Sequence, residues 1–343
     1  EGTKMTNYHP EEPFQQAVNA LSDRLRDVLV RFPYELQGQV NEIRLRRDRP
    51  LQLDCRGRRI FLNDRPLRPV FLPDDSCIKA TGDDLEQTFR RLCEYSIHSH
   101  QDQIREGYLT LRGGHRAGIC GTAVTENGTL TAVRGVSSIN LRISRDIPGA
   151  ADELLRRVDM ADSGGILVAG PPASGKTTML RDLARQLSSG ENQLPCNVAL
   201  IDEKGEIAGE GERAGMCCDV LNHYPKGTGI LHAVRNLAPD VLICDEVGTD
   251  AELNAMESGF HCGVKLIASV HAGSRDDLLR RGLIRRLLAG GSFSTVVLLQ
   301  GGVRVGQIAA VYRVEESDDP NNGADFRLCE LSADRVAEIH AAG

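Results

Sequence analysis

One segment constrains the fold of this chain more than any other. It is Gly170-Pro171-Pro172-Ala173-Ser174-Gly175-Lys176-Thr177, preceded by the apolar run Ile166 to Ala169 and followed by Thr178, Met179, Leu180, Leu183, Ala184 and Leu187 at helical spacing. The segment matches the phosphate-binding loop pattern (P-loop) at every fixed position, in the strand-loop-helix context that the pattern requires. Its glycines let backbone N–H groups turn inward around phosphate oxygens at a helix N-terminus, where aligned peptide dipoles favour negative charge. Lys176 is expected to reach the β and γ phosphates of a nucleotide, and Thr177 to offer its hydroxyl to Mg²⁺.

The surrounding pattern supplies the sheet that such a loop needs. Short runs, Val198 to Ile201, Val241 to Cys244 and Leu266 to Val270, are apolar on both faces and alternate with helical or glycine-rich stretches, as a buried parallel sheet demands. Each run ends in polar residues at the edge where ligands collect in open α/β sheets. Asp245 and Glu246 follow the third of the four strands, where Asp245 is expected to hold Mg²⁺ and Glu246 to activate the attacking water. Asp202, Glu203 and Glu206 form a second acidic cluster, read as either functional or a solvated loop around Lys204. His271 ends the last strand, where it is in register to sense a γ-phosphate.

The N-terminal half reads differently. Apolar positions from Gln15 to Phe32 fall on one helical face, and strand-like pieces follow at Val40 to Leu45, Leu51 to Cys55 and Arg58 to Leu62. Asp83 or Asp84 is expected to cap a second helix carrying Leu85, Phe89, Leu92 and Tyr95. Tyr108 to Arg112, Ala117 to Val124, Leu130 to Val133 and Leu141 to Arg145 read as strands around Gly113-Gly114 and Asn127-Gly128 turns. Ile147-Pro148-Gly149 then breaks the pattern before a short helix, Asp152 to Val158. The expected organisation is a smaller α+β domain over residues 5–146 and an α/β domain over 147–343, with Glu1 to Lys4 read as a remnant of an expression tag.

Composition narrows the function classes. A chain of 343 residues with 41% hydrophobic and 26% charged residues is neither a disulfide scaffold nor a disordered segment. The ten cysteines form no CxxC pair or zinc spacing, so free thiols in a reducing compartment are expected. With no run of roughly 18 apolar residues and no signal pattern, a cytoplasmic location is expected. Only six of the 41 basic residues are Lys. A net charge of −7 argues against nucleic-acid binding over the whole surface, although Arg44, Arg46, Arg47, Arg49, Arg56, Arg58 and Arg59 cluster locally.

The order of these motifs resembles that of the type II and type IV secretion and pilus ATPases. The P-loop, Asp202-Glu203-Lys204-Gly205-Glu206, Arg235 with Pro239-Asp240, Asp245-Glu246 and Ala268-Ser269-Val270-His271-Ala272 occur in the order of that superfamily's boxes. Within it the chain is most similar to the stage III sporulation protein AA family. That similarity rests on Asn41-Glu42-Ile43-Arg44-Leu45-Arg46, Gly113-Gly114-His115-Arg116-Ala117-Gly118-Ile119-Cys120-Gly121, Ile139-Asn140-Leu141-Arg142-Ile143, Asp219-Val220-Leu221 with Pro225-Lys226, and Asp245-Glu246-Val247-Gly248.

The resemblance implies a RecA-like P-loop NTPase core that hydrolyses ATP with Mg²⁺. It also implies a homo-oligomeric, hexameric ring, peripheral at the membrane through proteins of a sporulation secretion-like channel. Arg142, Arg145 or Arg134 would clamp phosphates, and Arg235 would face the nucleotide. The chain departs from the family pattern at Cys217-Cys218, where Arg-Thr usually stands, so a charge supplied in trans would have to come from elsewhere, such as Arg213. Two other readings stand beside the motor: a nucleic-acid-associated ATPase and a nucleotide-gated scaffold with little hydrolysis. The first is poorly supplied with stacking residues, since aromatics are 4% and Trp is absent.

Overall fold

The computed structural model describes residues 11–64, 67–96, 100–126, 129–162, 164–191, 194–208, 214–302, 305–316 and 326–331. The chain divides between Arg145 and Asp146 into two compact units.

The first unit opens with helices α1 (Glu12–Asn19), α2 (Asp23–Leu29) and α3 (Tyr34–Gln37). Strands β1 (Val40–Arg46), β2 (Arg49–Pro50), β3 (Gln52–Cys55), β4 (Arg58–Asp64), β5 (Leu67–Val70) and β6 (Lys79–Ala80) follow. Helices α4 (Gly82–Leu92) and α5 (Gln101–Arg105) lead into β7 (Tyr108–Leu111), β8 (His115–Glu126) and β9 (Thr129–Arg142). Seven strands pair in the order β5-β4-β3-β1-β9-β8-β7, every pair antiparallel. Because side chains alternate across a strand, Ile43 and Leu45 of β1 enter one core with Phe14, Leu25, Leu85 and Phe89 of the helices, while Glu42, Arg44 and Arg46 take the opposite face.

Three local expectations are corrected here. The apolar stripe from Gln15 to Phe32 is broken into α1 and α2, because Ser22 accepts from the Leu25 N–H at 3.4 Å and starts a new helix. The cap of α4 is Thr81, not Asp83 or Asp84; Asp84 stands at the third helical position and completes a capping box with it. The pieces Leu130 to Val133 and Leu141 to Arg145 belong to a single strand, β9, which pairs with both β8 and β1 and ends at Arg142. The Asn127-Gly128 turn lies outside the described residues.

The second unit contains α6 (Asp152–Arg157), β10 (Gly165–Gly170), α7 (Lys176–Ser189), β11 (Val198–Asp202), β12 (Cys218–Asn222), α8 (Lys226–Asn236) and β13 (Val241–Cys244). It continues with α9 (Asp250–His261), β14 (Lys265–His271), α10 (Arg275–Arg280), α11 (Gly282–Ala289), β15 (Phe293–Leu299), β16 (Ile308–Glu316) and β17 (Phe326–Glu330). The sheet order is β12-β11-β13-β14-β10-β15-β16-β17. Its first six strands are parallel, and the last two add antiparallel.

Alternation within β10 explains why the run is apolar throughout. Ile166 and Val168 pack with Met179, Leu180 and Leu183 of α7 on one face, whereas Leu167 and Ala169 pack on the other with Ile230 of α8 and Met256 of α9. The expected fold class, an α/β core with a smaller α+β domain ahead of it, is the one observed. No described helix is long and apolar enough to cross a membrane. All ten cysteines are free.

Candidate functional site

The parallel strands bring their C-terminal ends to one edge. Gly170 is level with His271 across the β10–β14 pair, and Cys244 is level with Ile201 on one side and Ala268 on the other. The polar residues that follow each run therefore converge around a cavity of about 370 Å³.

The loop between β10 and α7 forms one wall. Ala173 adopts φ +58° and Gly175 φ +95°, the left-handed turns that bend the chain back toward the sheet edge. At Gly175 a side chain is excluded for a second reason, because a Cβ would meet the backbone of Gly306 at 3.1 to 3.2 Å. Lys176 opens α7 and is only 6% exposed. Its ammonium donates to the carbonyls of Gly170 at 2.9 Å and Pro171 at 3.0 Å, and to Nδ1 of His271 at 3.1 Å. Burial pulls the Lys176 pKa below its ordinary value, against the opposing pull of Asp245 and Glu246. Its hydrogen-bond partners are neutral acceptors, and a buried cation favours an anion beside it.

An ammonium only donates, so Nδ1 of His271 accepts and its ring proton lies on Nε2. That nitrogen is 2.9 Å from Oε1 of Glu246. The other carboxylate oxygen of Glu246 receives Lys204 at 3.3 Å. Burial works to raise the Glu246 pKa, but the charges of Lys204 and Lys226 oppose it, and the carboxyl is held below its ordinary range.

Thr177 and Asp245 form the second wall. The Thr177 hydroxyl donates to Oδ2 of Asp245 at 2.8 Å, while Oδ1 accepts from the Glu246 N–H at 2.9 Å and from the Ser269 hydroxyl. Ser269 is fully buried and also accepts from the Glu246 N–H, at 2.9 Å. Glu246 itself stands at φ +39°, a conformation that costs a side-chain-bearing residue about 1–3 kcal/mol and persists only where the surroundings impose it.

The loop after β11 closes the cavity. Asp202 is 2% exposed, and its carboxylate accepts the N–H groups of Glu206, Ile207 and Ala208, each at 2.9 Å. Burial raises its pKa, against those three donors. Asp202 therefore shapes the loop from within. Glu203 and Glu206 line the cavity, and Glu203 faces Lys226, whose Nζ is 3.6 Å away.

Most of the site residues expected from sequence thus meet in one place. Ala173 through Thr178, with Glu203, Glu206, Asp245, Glu246 and His271, line the cavity. Gly170 and Pro171 act behind it through their carbonyls, and Pro172 is not among the lining residues. Arg142 and Arg145 belong to the first unit. Arg142 is 3.3 Å from Glu42 with 64% of its side chain exposed, whereas Arg145 donates to the Gln37 carbonyl at 3.2 Å, the Asn41 side chain at 3.1 Å and the Val40 carbonyl. Arg134 and Arg235 are exposed, and Arg213 lies outside the described residues.

Sequence reasoning missed the roles of Lys204, Lys226 and Ser269. Ser269 carried a usable signal, since it stands two residues before His271 on the same strand and so on the same side of it. Lys226 carried none, because its partners are far away in the chain.

Thr177 and Asp245 are oxygen donors in contact, the hard-ligand chemistry that suits Mg²⁺. The buried Lys176 and the backbone turn at Gly175 fit a polyphosphate.

A family model described as sporulation stage III, protein AA matches residues 11–317. Stage III sporulation protein AA of Bacillus subtilis (strain 168) is 32% identical over 303 residues, 87% of this chain and 94% of that protein. Among solved structures, the pilus retraction motor PilT with bound ADP is similar with a TM-score of 0.51 at 14% identity, over 92% of this chain and 88% of that one. The ATPase DotB of Yersinia pseudotuberculosis gives a TM-score of 0.52 at 13% identity, over 93% and 82%. At these identities the likeness establishes a shared fold, with a RecA-like P-loop core.

Proposed function

Because the chain belongs to the sporulation stage III protein AA family, we propose that it is an ATPase that binds ATP at the Lys176 loop and hydrolyses it. The observation that carries this reading is the pairing of Thr177 with Asp245 at 2.8 Å, beside a buried Lys176 ammonium that donates to two carbonyls and to an imidazole nitrogen. Thr177 and Asp245 would hold Mg²⁺, which when bound would neutralise phosphate charge and align the β and γ groups. Lys176 exchanges the carbonyls of Gly170 and Pro171 for phosphate oxygens. Glu246, ionised and oriented by His271 and Lys204, accepts a hydrogen bond from the attacking water and draws its proton. Asp202 keeps the loop carrying Glu203 and Glu206 in place around that water.

The same reading extends to assembly. The chain would act as a ring, a hexamer, docked from the cytoplasm on membrane proteins of a secretion-like channel during endospore formation. Arg142 has the exposed guanidinium that a phosphate clamp in such a ring needs; Arg145 is engaged with carbonyls of its own unit. Support comes from the family and from the fold shared with PilT and DotB.

The test is the Glu246→Gln variant. It should bind ATP with Mg²⁺ as tightly as the unaltered chain, turn it over roughly 100- to 10,000-fold more slowly, and gain mass on light scattering as a ring. Full turnover in that variant would overturn the role of Glu246, and a monomer with and without ATP would overturn the ring.

A further inference from the structure

Lys226, the first residue of α8, is 7% exposed although it carries a charge. Its Nζ donates to the Glu246 carbonyl at 2.7 Å and lies 3.5 Å from Oε1 of Glu252 and 3.6 Å from Oε2 of Glu203. Its backbone N–H donates to Oε1 of Glu203 at 3.2 Å. An ammonium has three N–H donors, and three oxygens surround this one. Lys226 borders the cavity, and its ammonium is directed at these three protein oxygens.

The carbonyl it grips belongs to Glu246, whose backbone stands at φ +39°. Such a turn holds only where neighbours over-determine it. On the N–H side the frame is Asp245 and Ser269, both 2.9 Å from the Glu246 nitrogen. Downstream, Val247 donates to the Ser269 carbonyl at 2.9 Å, and Gly248 and Thr249 donate to Oε2 of Glu252 at 2.7 and 3.0 Å. Glu252 therefore ties the end of the turn with one oxygen and touches Lys226 with the other. Lys226 supplies the carbonyl side of the frame and joins its two ends.

We propose that Lys226 is a positioning residue: it locks the left-handed turn that aims the Glu246 carboxylate at the water-binding side of the cavity, with Glu203 and Glu252 as its counter-ions. The proposal rests on reading Glu246 as the group that activates water.

Two measurements on the full chain test it, and the first needs no turnover. In Lys226→Met, hydrogen exchange of the amides at 245–252 should rise about tenfold or more, while β10 and β14 keep their protection, as expected for a local opening. Unchanged exchange in that segment would overturn the proposal. Second, Lys226→Met should bind ATP within about threefold of the unaltered chain but turn it over roughly 30-fold more slowly; added to Glu246→Gln it should lose no more than about twofold further, because coupled residues are not additive.

Lys226→Arg, which keeps charge and donors, should recover about a tenth or more of the unaltered rate. Additive losses, or no rescue by Arg, would overturn the proposal. Should Lys226→Met fail to fold, Lys226→Gln keeps a donor without the charge and is judged by the same two results. If the unaltered chain hydrolyses no ATP, the ATPase reading fails alone, and the exchange result still decides whether Lys226 locks the turn.

Discussion

The hydroxyl of Thr177 donates to Oδ2 of Asp245 at 2.8 Å, joining the first turn of α7 to the end of β13. The two residues are 68 positions apart in the chain, and they meet because β10 and β13 both pair with β14. Replacing Thr177 by Val keeps the shape and removes the hydroxyl. The expected result is ATP binding without Mg²⁺ that is unchanged, with the gain on adding Mg²⁺ reduced by about 1–1.5 kcal/mol, roughly the net worth of one such bond. Calorimetric titration with and without the metal measures both, and an undiminished Mg²⁺ effect would place the metal elsewhere.

Lys176→Ala should weaken ATP binding by roughly 10- to 150-fold, the equivalent of about 1.5–3 kcal/mol for hydrogen bonds to a charged group. Its folding should suffer little, because burial of that ammonium is itself unfavourable and pulls its pKa down. Fluorescent-nucleotide titration together with thermal unfolding separates the two effects. A variant that binds ATP normally would sink the assignment of the phosphate loop.

Ser269 is fully buried and bonds both Asp245 and the Glu246 N–H. Ser269→Ala should therefore destabilise the fold by about 1–3 kcal/mol, the range for leaving a buried partner unmatched, and slow turnover about tenfold with ATP affinity kept. Urea unfolding and steady-state rates are the measures. Normal turnover in a destabilised protein would make Ser269 a packing residue only.

In the first unit, burial alone would raise the Asp84 carboxyl, but hydrogen bonds from Arg24, Ser22 and Thr81 outweigh it and bring the pKa from 3.8 to about 2. A value depressed on folding adds stability above the unfolded pKa, which is lost as pH falls through the folded one. At roughly 1.36 kcal/mol per unit, the contribution is about 2 kcal/mol near neutrality. Asp84→Asn should be less stable by about that amount at pH 6, and the difference should shrink steadily between about pH 5 and pH 2. A gap independent of pH would mean that the charge of Asp84 plays no part in it.

Much of the second unit was legible because its information is local. A complete phosphate loop, four short apolar runs and the polar residues ending them specify a strand edge without any knowledge of the partners. The later strands, β15 to β17, and the edge strand β12 were not foreseen, since Phe293 to Leu299 and Ile308 to Glu316 lack a loop motif that would distinguish them from helix segments. In the first unit the helical period runs through Ser22, which caps α2 and also donates to Asp84, 62 residues away. The same limit hid Lys226. A buried lysine is recognisable only from its three oxygens, which come from the ends of three different elements.

Asp202 gives the cavity a further property. The segment bearing Glu203, Lys204 and Glu206 is folded around a carboxylate of its own chain, which occupies three backbone N–H groups that would otherwise be free to gather round an outside anion. That wall has its shape before any nucleotide arrives, so arrival requires no ordering there, and the entropy of fixing the loop is not subtracted from affinity. Among the described residues, what a bound nucleotide would rearrange lies in side chains: the Lys176 ammonium leaving two carbonyls, and Nδ1 of His271 losing the donor it accepted from.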